Sequence, residues 1–238
     1  MSESWREFWG RYRRRPVESD ADLFVEVGKT IAGAPISDAM LAHMIERIRR
    51  QLVLERDDHL FEVCCGNGLI TRGVASSVKR VVATDFSEHL IASARAHSVL
   101  GNVTYVIADA SADPGLPAGF VPTKFLMNDS LGYFDPGALV TVLRRFRGFA
   151  PNACARILLT GIPDASRMLF FYDTDERYQR YLDAQSTAPG VNDGMGRWWT
   201  REEIAGVCAS VGMEVSFEPQ PEMLSSFRMD ATIVVAKR

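Results

Sequence analysis

Three acidic residues and a glycine-containing loop follow successive apolar runs in the middle of the chain. The run at 59–63 leads into the loop 64–68, Cys-Cys-Gly-Asn-Gly, and Glu62 lies just before that loop. Asp85 ends the next apolar run and Asp109 follows the third. Glycines at a strand-to-helix turn let the backbone approach a ligand closely, and a carboxylate after the second strand can accept both hydroxyls of a ribose. The pattern therefore predicts a site for a nucleoside-containing cofactor.

The elements that would position these residues begin at about residue 58, where short apolar runs start to alternate with helix-like segments. Because parallel strands need crossover helices, the alternation predicts an α/β fold with a doubly wound, Rossmann-like sheet of seven strands. The last two strands leave no room for a helix between them, so the mostly parallel sheet is expected to finish with an antiparallel strand. The carboxyl ends of parallel strands meet in one crevice where the strand order reverses, which would bring the three acids together. The predicted strands are 59–63, 80–84, 103–107, 122–128, 155–160, 213–218 and 229–236, and the predicted helices are 69–77, 87–98, 136–149 and 200–211.

The region 1–58 precedes this alternation and has a helical pattern of its own. Its apolar residues recur at three- and four-residue steps, as on one face of a helix. With an insertion at 161–199 it is too short to fold alone, so we expect a helical cap or lid over a domain formed by 59–238. The helices predicted in this region are 4–14, 21–31 and 37–54.

The acids, the glycine loop and the final antiparallel strand together resemble the class I S-adenosylmethionine-dependent methyltransferases, of the small-molecule type found in bacterial glycan and natural-product pathways. The resemblance implies S-adenosylmethionine as cofactor, with the loop under its methionine part and Asp85 on its ribose. It also implies that Asp109 contacts the adenine and Glu62 the methionine end. Cys64 departs from the family, which often has a glycine there. The predicted cofactor-binding residues are Glu62, Cys64, Gly66, Gly68, Asp85, Phe86, Asp109, Ala110 and Asn128.

A nicotinamide- or flavin-dependent oxidoreductase is the nearest alternative, because it also uses a glycine loop and an acid after the second strand. Its fingerprint requires a third small residue three positions beyond the second glycine, and Thr71 stands there. Glu62 would repel a pyrophosphate but suits the cationic methionine end of S-adenosylmethionine. A cofactor-binding partner subunit without transfer activity also remains open.

The end of the fourth strand of the sheet should face the methyl group. Asn128 there is not followed by the two prolines and aromatic residue of nucleic-acid base methyltransferases, which disfavours nucleic acid as a partner. Asp129 is the candidate general base and Tyr133 or Asn128 would orient the acceptor, although Asp129 could instead cap the following turn. O-methylation of a small sugar, natural-product or anionic metabolite is favoured, with N-methylation of a small amine or amino sugar as the alternative. No metal is expected.

Aromatic and basic residues of the insertion could line the acceptor pocket or pack in a core. Arginines in this part of the chain could clamp an anionic acceptor. A separate stretch, Val-Gly-Lys-Thr at 27–30, matches only a fragment of a phosphate-binding loop because the upstream glycine is missing. The predicted acceptor-binding residues are Arg167, Tyr172, Arg197, Trp199 and Arg228.

Composition narrows the functional classes further. The 238 residues carry 27 basic and 30 acidic side chains, a net charge of −3, so there is no overall basic field for a nucleic acid or an anionic membrane. No apolar run approaches the roughly 20 residues of a membrane span, and we expect a cytoplasmic protein. Its four cysteines, Cys64, Cys65, Cys154 and Cys208, are expected to be reduced thiols.

Overall fold

The computed structural model describes residues 3–12, 16–112, 116–149, 155–187 and 195–235, and Cys154 lies outside these ranges. The helices are α1 (Glu3–Arg11), α2 (Asp20–Glu26), α3 (Asp38–Leu52), α4 (Leu69–Val74), α5 (Glu88–His97), α6 (Pro136–Phe149), α7 (Asp175–Thr187) and α8 (Arg201–Ser210). The strands are β1 (Thr30–Ile31), β2 (Ala34–Pro35), β3 (His59–Val63), β4 (Arg80–Asp85), β5 (Val103–Ile107), β6 (Lys124–Asn128), β7 (Arg156–Pro163), β8 (Met213–Pro219) and β9 (Arg228–Val235).

Seven strands form one sheet in the order β5-β4-β3-β6-β7-β9-β8. The first five strands in this order are parallel, whereas β9 lies antiparallel between β7 and β8. The order reverses at β3, which pairs with β4 on one side and β6 on the other, and ligands bind at such a point in open α/β sheets. The predicted doubly wound sheet with a final antiparallel strand is therefore confirmed.

The apolar strands are buried on both faces of the sheet, as expected for strands covered by crossover helices. On β3, Phe61 packs in a cluster with residues of α6 and α8, and its neighbour Leu60 packs in a second cluster with residues of α3, α4 and α5. The alternation continues on β6 with Phe125 and Leu126. The two clusters hold the strands in place, so the carboxyl ends of β3, β4 and β6 can carry polar side chains without disturbing the core.

Two local predictions were wrong. The helix predicted at 21–31 ends at Glu26, because Gly28 adopts a left-handed φ of 69° and the chain then forms the short hairpin β1–β2. Helix α7 inside the insertion was not predicted, since its sequence is polar on nearly all sides. In the described part of the chain, no helix is both long and apolar enough to cross a membrane.

The amino-terminal elements are attached to the sheet by buried contacts. Leu23 and Phe24 of α2 pack against Leu69 at the start of α4. Arg47 of α3 is buried and donates through Nε to Asp230 of β9 at 2.5 Å. These contacts attach α2 and α3 to the sheet, and residues of α1 and the hairpin line the cavity where β3, β4 and β6 end.

Candidate active site

A cavity of about 920 Å³ lies at the carboxyl ends of β3, β4 and β6. The glycine loop and β4 form one end of the cavity, and residues after β6 form the other. Side chains of α1, the β1–β2 hairpin and the segment 220–228 also line it. The cavity therefore combines the predicted cofactor crevice with side chains from both ends of the chain.

The loop after β3 owes its shape to left-handed backbone at three positions, Cys64 with φ 56°, Gly66 with φ 57° and Gly68 with φ 76°. The Gly66 N–H donates to Asp85 Oδ2 at 3.0 Å, and the Ser87 N–H donates to Asp85 Oδ1 at 2.9 Å. The left-handed conformation is about 1–2 kcal/mol less favourable for Cys64 than for a glycine, because Cys64 has a Cβ. The loop and the end of β4 are thus joined through the Asp85 carboxylate.

Asp85 lines the cavity although its side chain is only 6% exposed. Burial raises its pKa, whereas the backbone N–H groups that it accepts favour the ionised form. Each carboxylate oxygen has two lone pairs, so both oxygens keep acceptor capacity beyond the backbone bonds. The geometry fits the ribose contact that the sequence predicts.

Gly68 serves helix packing in the structure. A Cβ at this position would collide with the hydroxyl of Tyr105 and with Ser98. Gly68 is the residue before α4 and does not line the cavity. Its absent side chain lets α4 approach β5, while Gly66 faces the cavity.

Glu62 and Asn128 present polar atoms that fit the cationic methionine end of the cofactor. Glu62 is 1% exposed, and its Oε2 accepts from the Thr71 hydroxyl at 2.7 Å. Within the described residues, Glu62 Oε1 and Asn128 Oδ1 are buried without a hydrogen-bond partner. Burial raises the pKa of Glu62 to about 8. A nearby cation would satisfy both oxygens and stabilise the ionised carboxylate.

The region predicted to bind the adenine is covered by α1. Arg6 forms an ion pair with Asp109, and its guanidinium lies 5.4 Å from the ring centre of Phe86. Burial opposes ionisation of Asp109, but hydrogen bonds from Ser111 and the charge of Arg6 outweigh it and lower the pKa. Phe86 lines the cavity, whereas Asp109 and Ala110 lie outside its lining.

Asp129 is the centre of a charged cluster at the other end. Its Oδ1 accepts from Arg228 Nη1 at 2.8 Å, and its Oδ2 contacts Lys29 Nζ. The residue has a left-handed φ of 51°, directly after β6. Because each oxygen already contacts a cation, the geometry favours an ion-pairing role for Asp129 over that of a general base.

The backbone of β7 makes room for this cluster. The pairing of β7 with β9 shifts register between Leu159 and Ile162, and Gly161 in that bulge has φ 72°. A Cβ on Gly161 would collide with Asp129 Oδ1. The Gly161 carbonyl also accepts from Arg228 Nη1 at 2.9 Å. The bulge thus fixes both partners of the ion pair.

Tyr133 lies under α1, with its ring centre 4.6 Å from that of Trp5 and 5.5 Å from that of Trp9. Burial raises its pKa to about 12, so the phenol stays neutral near pH 7. The hydroxyl is therefore a polar group without a charge. Tyr133 lines the cavity, as does Arg228.

The other predicted acceptor-binding residues lie outside the cavity lining, which corrects that part of the prediction. Trp199 is fully buried and donates through Nε1 to the Leu131 carbonyl at 3.1 Å. Arg197 pairs with Glu203, and Arg167 donates to the Ser226 carbonyl at 3.1 Å. Tyr172 is buried in an aromatic cluster with Phe171, Trp198 and Tyr181. These side chains shape the wall, and from the insertion Phe171 and Met195 reach the cavity itself.

Lys29 is the site residue that sequence reasoning missed. Its neighbours Gly28 and Thr30 made the stretch look like a phosphate-loop fragment, whereas the structure places it at the start of the β1–β2 hairpin. Burial and the neighbouring Arg228 lower the pKa of Lys29 to about 7, whereas direct contact with Asp129 favours the charged ammonium. One signal was present, since lysine is rare here, at 4 of 27 basic residues.

Comparisons with known proteins agree with this fold. Residues 60–150 match the family model described as a methyltransferase domain. No curated protein sequence matches the chain. Among solved structures, magnesium protoporphyrin IX methyltransferase of Synechocystis PCC 6803 with bound SAH is 13% identical with a TM-score of 0.60, covering 98% of this chain and 95% of that one.

Two further structures are similar over most of their length. An S-adenosylmethionine-dependent methyltransferase from Clostridium acetobutylicum is 13% identical with a TM-score of 0.61, covering 90% of this chain and 98% of that one. A DhpI complex with SAM and HEP is 17% identical with a TM-score of 0.61, covering 97% and 94%.

The methyltransferase-domain match over residues 60–150 and the shared class I fold support an S-adenosylmethionine-dependent methyltransferase. S-adenosylmethionine is accordingly its cofactor. The sequence-based predictions of the enzyme class and cofactor are confirmed. No group of three or more His, Cys, Asp or Glu side chains that could hold a metal ion occurs among the described residues.

Proposed function

We propose that this enzyme transfers the methyl group of S-adenosylmethionine to an oxygen atom of a small acceptor. The observation that carries the proposal is the continuous cavity that runs from Gly66 and Asp85 to the charged cluster at Asp129. Its volume of about 920 Å³ is at the upper end of the range for small-molecule sites, enough for a cofactor with a small acceptor beside it. Walls on several sides disfavour a folded macromolecule as acceptor.

In this proposal the cofactor lies along the loop after β3. Asp85 accepts the ribose hydroxyls, Gly66 allows close approach, and Glu62 with Asn128 receives the cationic methionine end. When bound, the cofactor supplies an electrophilic methyl group on a sulfonium, whose positive charge is lost in the transfer. The chain's contribution is to orient the acceptor in line with that methyl group and to exclude water.

The charges at the acceptor end favour oxygen over nitrogen. Lys29 and Arg228 are both cationic and would repel a protonated amine. A hydroxyl acceptor benefits from a general base, whereas a carboxylate, phosphate or phenolate oxygen does not. Because Asp129 is engaged by two cations, we propose an acceptor oxygen of the second kind.

The cap, residues 1–58, is proposed to act as the lid of the site. Phe8 and Trp9 of α1 and Ile31 of the hairpin line the cavity, and Arg6 closes over Phe86. Water exclusion matters in a reaction that consumes charge, because a desolvated site strengthens the interactions between the reacting groups. Entry of either ligand would require these contacts to separate.

Calorimetry with S-adenosylmethionine and S-adenosylhomocysteine tests the cofactor part of the proposal. We expect one molecule bound per chain with a micromolar dissociation constant. The acceptor part is tested by measuring S-adenosylhomocysteine release with paired acceptors, each a small carboxylate, phosphonate or phenol beside its amine counterpart. Turnover confined to oxygen acceptors supports the proposal, and turnover confined to amines would overturn it.

A further inference from the structure

Three charged side chains meet at the acceptor end of the cavity, and two of them are cations. Asp129 Oδ1 accepts from Arg228 Nη1 at 2.8 Å, while Asp129 Oδ2 contacts Lys29 Nζ. One carboxylate therefore faces one ammonium and one guanidinium, which leaves the cluster with an excess of one positive charge below the Lys29 pKa of about 7.

Nearby acids do not cancel that excess. Asp230 is a buried acid whose charge acts on both cations, but it is already paired with Arg47 and accepts from Thr160, Gly161 and Gln220. Glu222 lines the cavity but its side chain is exposed, and the neighbouring Tyr133 is neutral near pH 7. Among the described residues, the excess cation has no counter-ion of its own.

Both cations keep donors that can bind a second anion. The Lys29 ammonium has three donors, and Asp129 is its one hydrogen-bond partner in the described part of the chain. Arg228 has five donors, of which Nη1 contacts Asp129 and the Gly161 carbonyl, while Nη2 lies 3.9 Å from the Met195 sulfur. The remaining donors suit the oxygens of a planar or tetrahedral anion.

Partial burial makes the excess charge consequential. The side chains of Lys29, Asp129 and Arg228 are 11%, 23% and 25% exposed, so solvent screens them only in part. A buried charge is unfavourable unless it is paired and hydrogen-bonded. An incoming anion would supply the missing partner, whereas a neutral ligand would not.

We propose that Lys29 and Arg228 form an oxyanion-binding subsite for a carboxylate, phosphate or phosphonate group of the acceptor, with Asp129 as the resident anion that holds the two cations apart. The proposal rests on the proposed function, because it names the acceptor class of that site. It gives the cap a direct part in acceptor recognition through Lys29. It also has a consequence that can be tested at pH 5.5, below the lowered pKa of Lys29: loss of Asp129 leaves two charged cations there and should improve anion binding.

The test titrates inorganic phosphate and acetate, with acetamide as the neutral control, into protein saturated with S-adenosylhomocysteine at pH 5.5 and low ionic strength. Lys29→Met and Arg228→Gln should each weaken oxyanion binding at least tenfold. Asp129→Asn should tighten it about threefold or more. Lys79→Met removes an exposed lysine before β4, away from the cavity, and should leave oxyanion binding unchanged.

Affinity for S-adenosylhomocysteine is measured first on every variant. An unchanged affinity shows that the variant is folded and binds the cofactor, so any loss of oxyanion binding can be assigned to the subsite. Cofactor binding without any oxyanion binding would overturn the subsite and leave the cofactor assignment standing. Equal oxyanion affinity in the wild-type protein, Lys29→Met and Arg228→Gln would also overturn it. Weaker oxyanion binding in Asp129→Asn would contradict the role given to that carboxylate.

Discussion

The two ends of the cavity are built in different ways. The cofactor end is formed mainly by backbone groups of one short stretch. Within it, the Gly66 N–H donates to Asp85, only 19 residues further along the chain. At the acceptor end, charged side chains come from three distant places, since Asp129 is 100 residues from Lys29 and 99 from Arg228. The cofactor end is therefore a property of the sheet, whereas the acceptor end depends on how the cap and β9 pack against it.

This difference suits the two tasks. S-adenosylmethionine is the same for every enzyme of the class, so a site made of backbone and strand ends suffices to hold it. The acceptor differs between enzymes, and residues on a cap and a late strand can change without disturbing the sheet. Substitutions at the two ends should therefore have separable effects.

The largest effect is expected for Gly161→Ala, which disrupts the packing at the acceptor end. The new methyl group would collide with Asp129 Oδ1 at a position with φ 72°, so we expect about 3 kcal/mol of destabilisation from overpacking and left-handed backbone. Turnover should fall sharply, while affinity for S-adenosylhomocysteine stays within about threefold. Urea unfolding and calorimetry measure the two quantities.

Gly119→Ala is the matched control, because Gly119 has φ 74° and no atom within 4 Å of the added Cβ. This substitution should lower the free energy of unfolding by only about 1 kcal/mol, because alanine is less favourable than glycine in left-handed backbone. Equal destabilisation by the two substitutions would show that the Asp129 contact is unimportant.

Asp85→Ala removes a carboxylate from the cofactor end. Loss of the carboxylate that we propose accepts the ribose hydroxyls should weaken S-adenosylhomocysteine binding about 100-fold, or about 2.7 kcal/mol. Asp85→Asn keeps one acceptor for the loop N–H groups and separates loop folding from ligand contact. Asp57→Ala, an exposed acid before β3, should leave the affinity unchanged. A wild-type affinity in Asp85→Ala would refute the ribose assignment.

Glu62→Gln should weaken cofactor binding about tenfold, because one charge-assisted contact to the methionine end is lost. The folded apo protein holds a proton on Glu62 up to its pKa of about 8, well above the ordinary value of 4.5. Between these two pH values the folded state binds more protons than the unfolded chain, so this group lowers stability as pH rises.

The Glu62 prediction is checked by calorimetry at pH 6.5 in buffers of different ionisation enthalpy. Cofactor binding should release protons in the wild-type protein, since the ligand cation favours the ionised carboxylate. Glu62→Gln should lose this release, and its melting temperature should fall less between pH 6 and pH 9. Identical proton release in both proteins would contradict the assigned contact.

The smallest effect is expected for Arg197→Gln. Its ion pair with Glu203 is partly exposed, and such pairs contribute about 0–1 kcal/mol. Because Arg197 lies outside the cavity lining, the Michaelis constant for the acceptor should not change. A large rise in that constant would mean that the insertion reaches further into the site than the structure indicates.

The sheet and the cofactor end were predictable because their signals are local. Alternation of apolar runs gave all seven strands of the sheet within two residues at most ends, and Glu62, Gly66 and Asp85 line the cavity as expected. Gly68 shows the limit of such reasoning. It is required for packing against Tyr105, but in the sequence it cannot be distinguished from a glycine that is required for ligand binding.

The acceptor end was predictable only in part, because its partners are distant in sequence. Arg228 was found, but Trp199 was assigned to the pocket although it is fully buried in the core. An aromatic side chain is apolar in either setting, so its type does not reveal which it occupies. Lys29 was missed because no short-range pattern links it to Asp129.

The most direct test of this account is a crystal structure of the protein with S-adenosylhomocysteine bound. We expect the ribose on Asp85, the methionine end beside Glu62, and the sulfur open to the part of the cavity that contains Lys29, Asp129 and Arg228. The central claim is that one cavity joins a cofactor end to a charged acceptor end. A ligand bound elsewhere, or a sulfur closed off from that charged cluster, would contradict it.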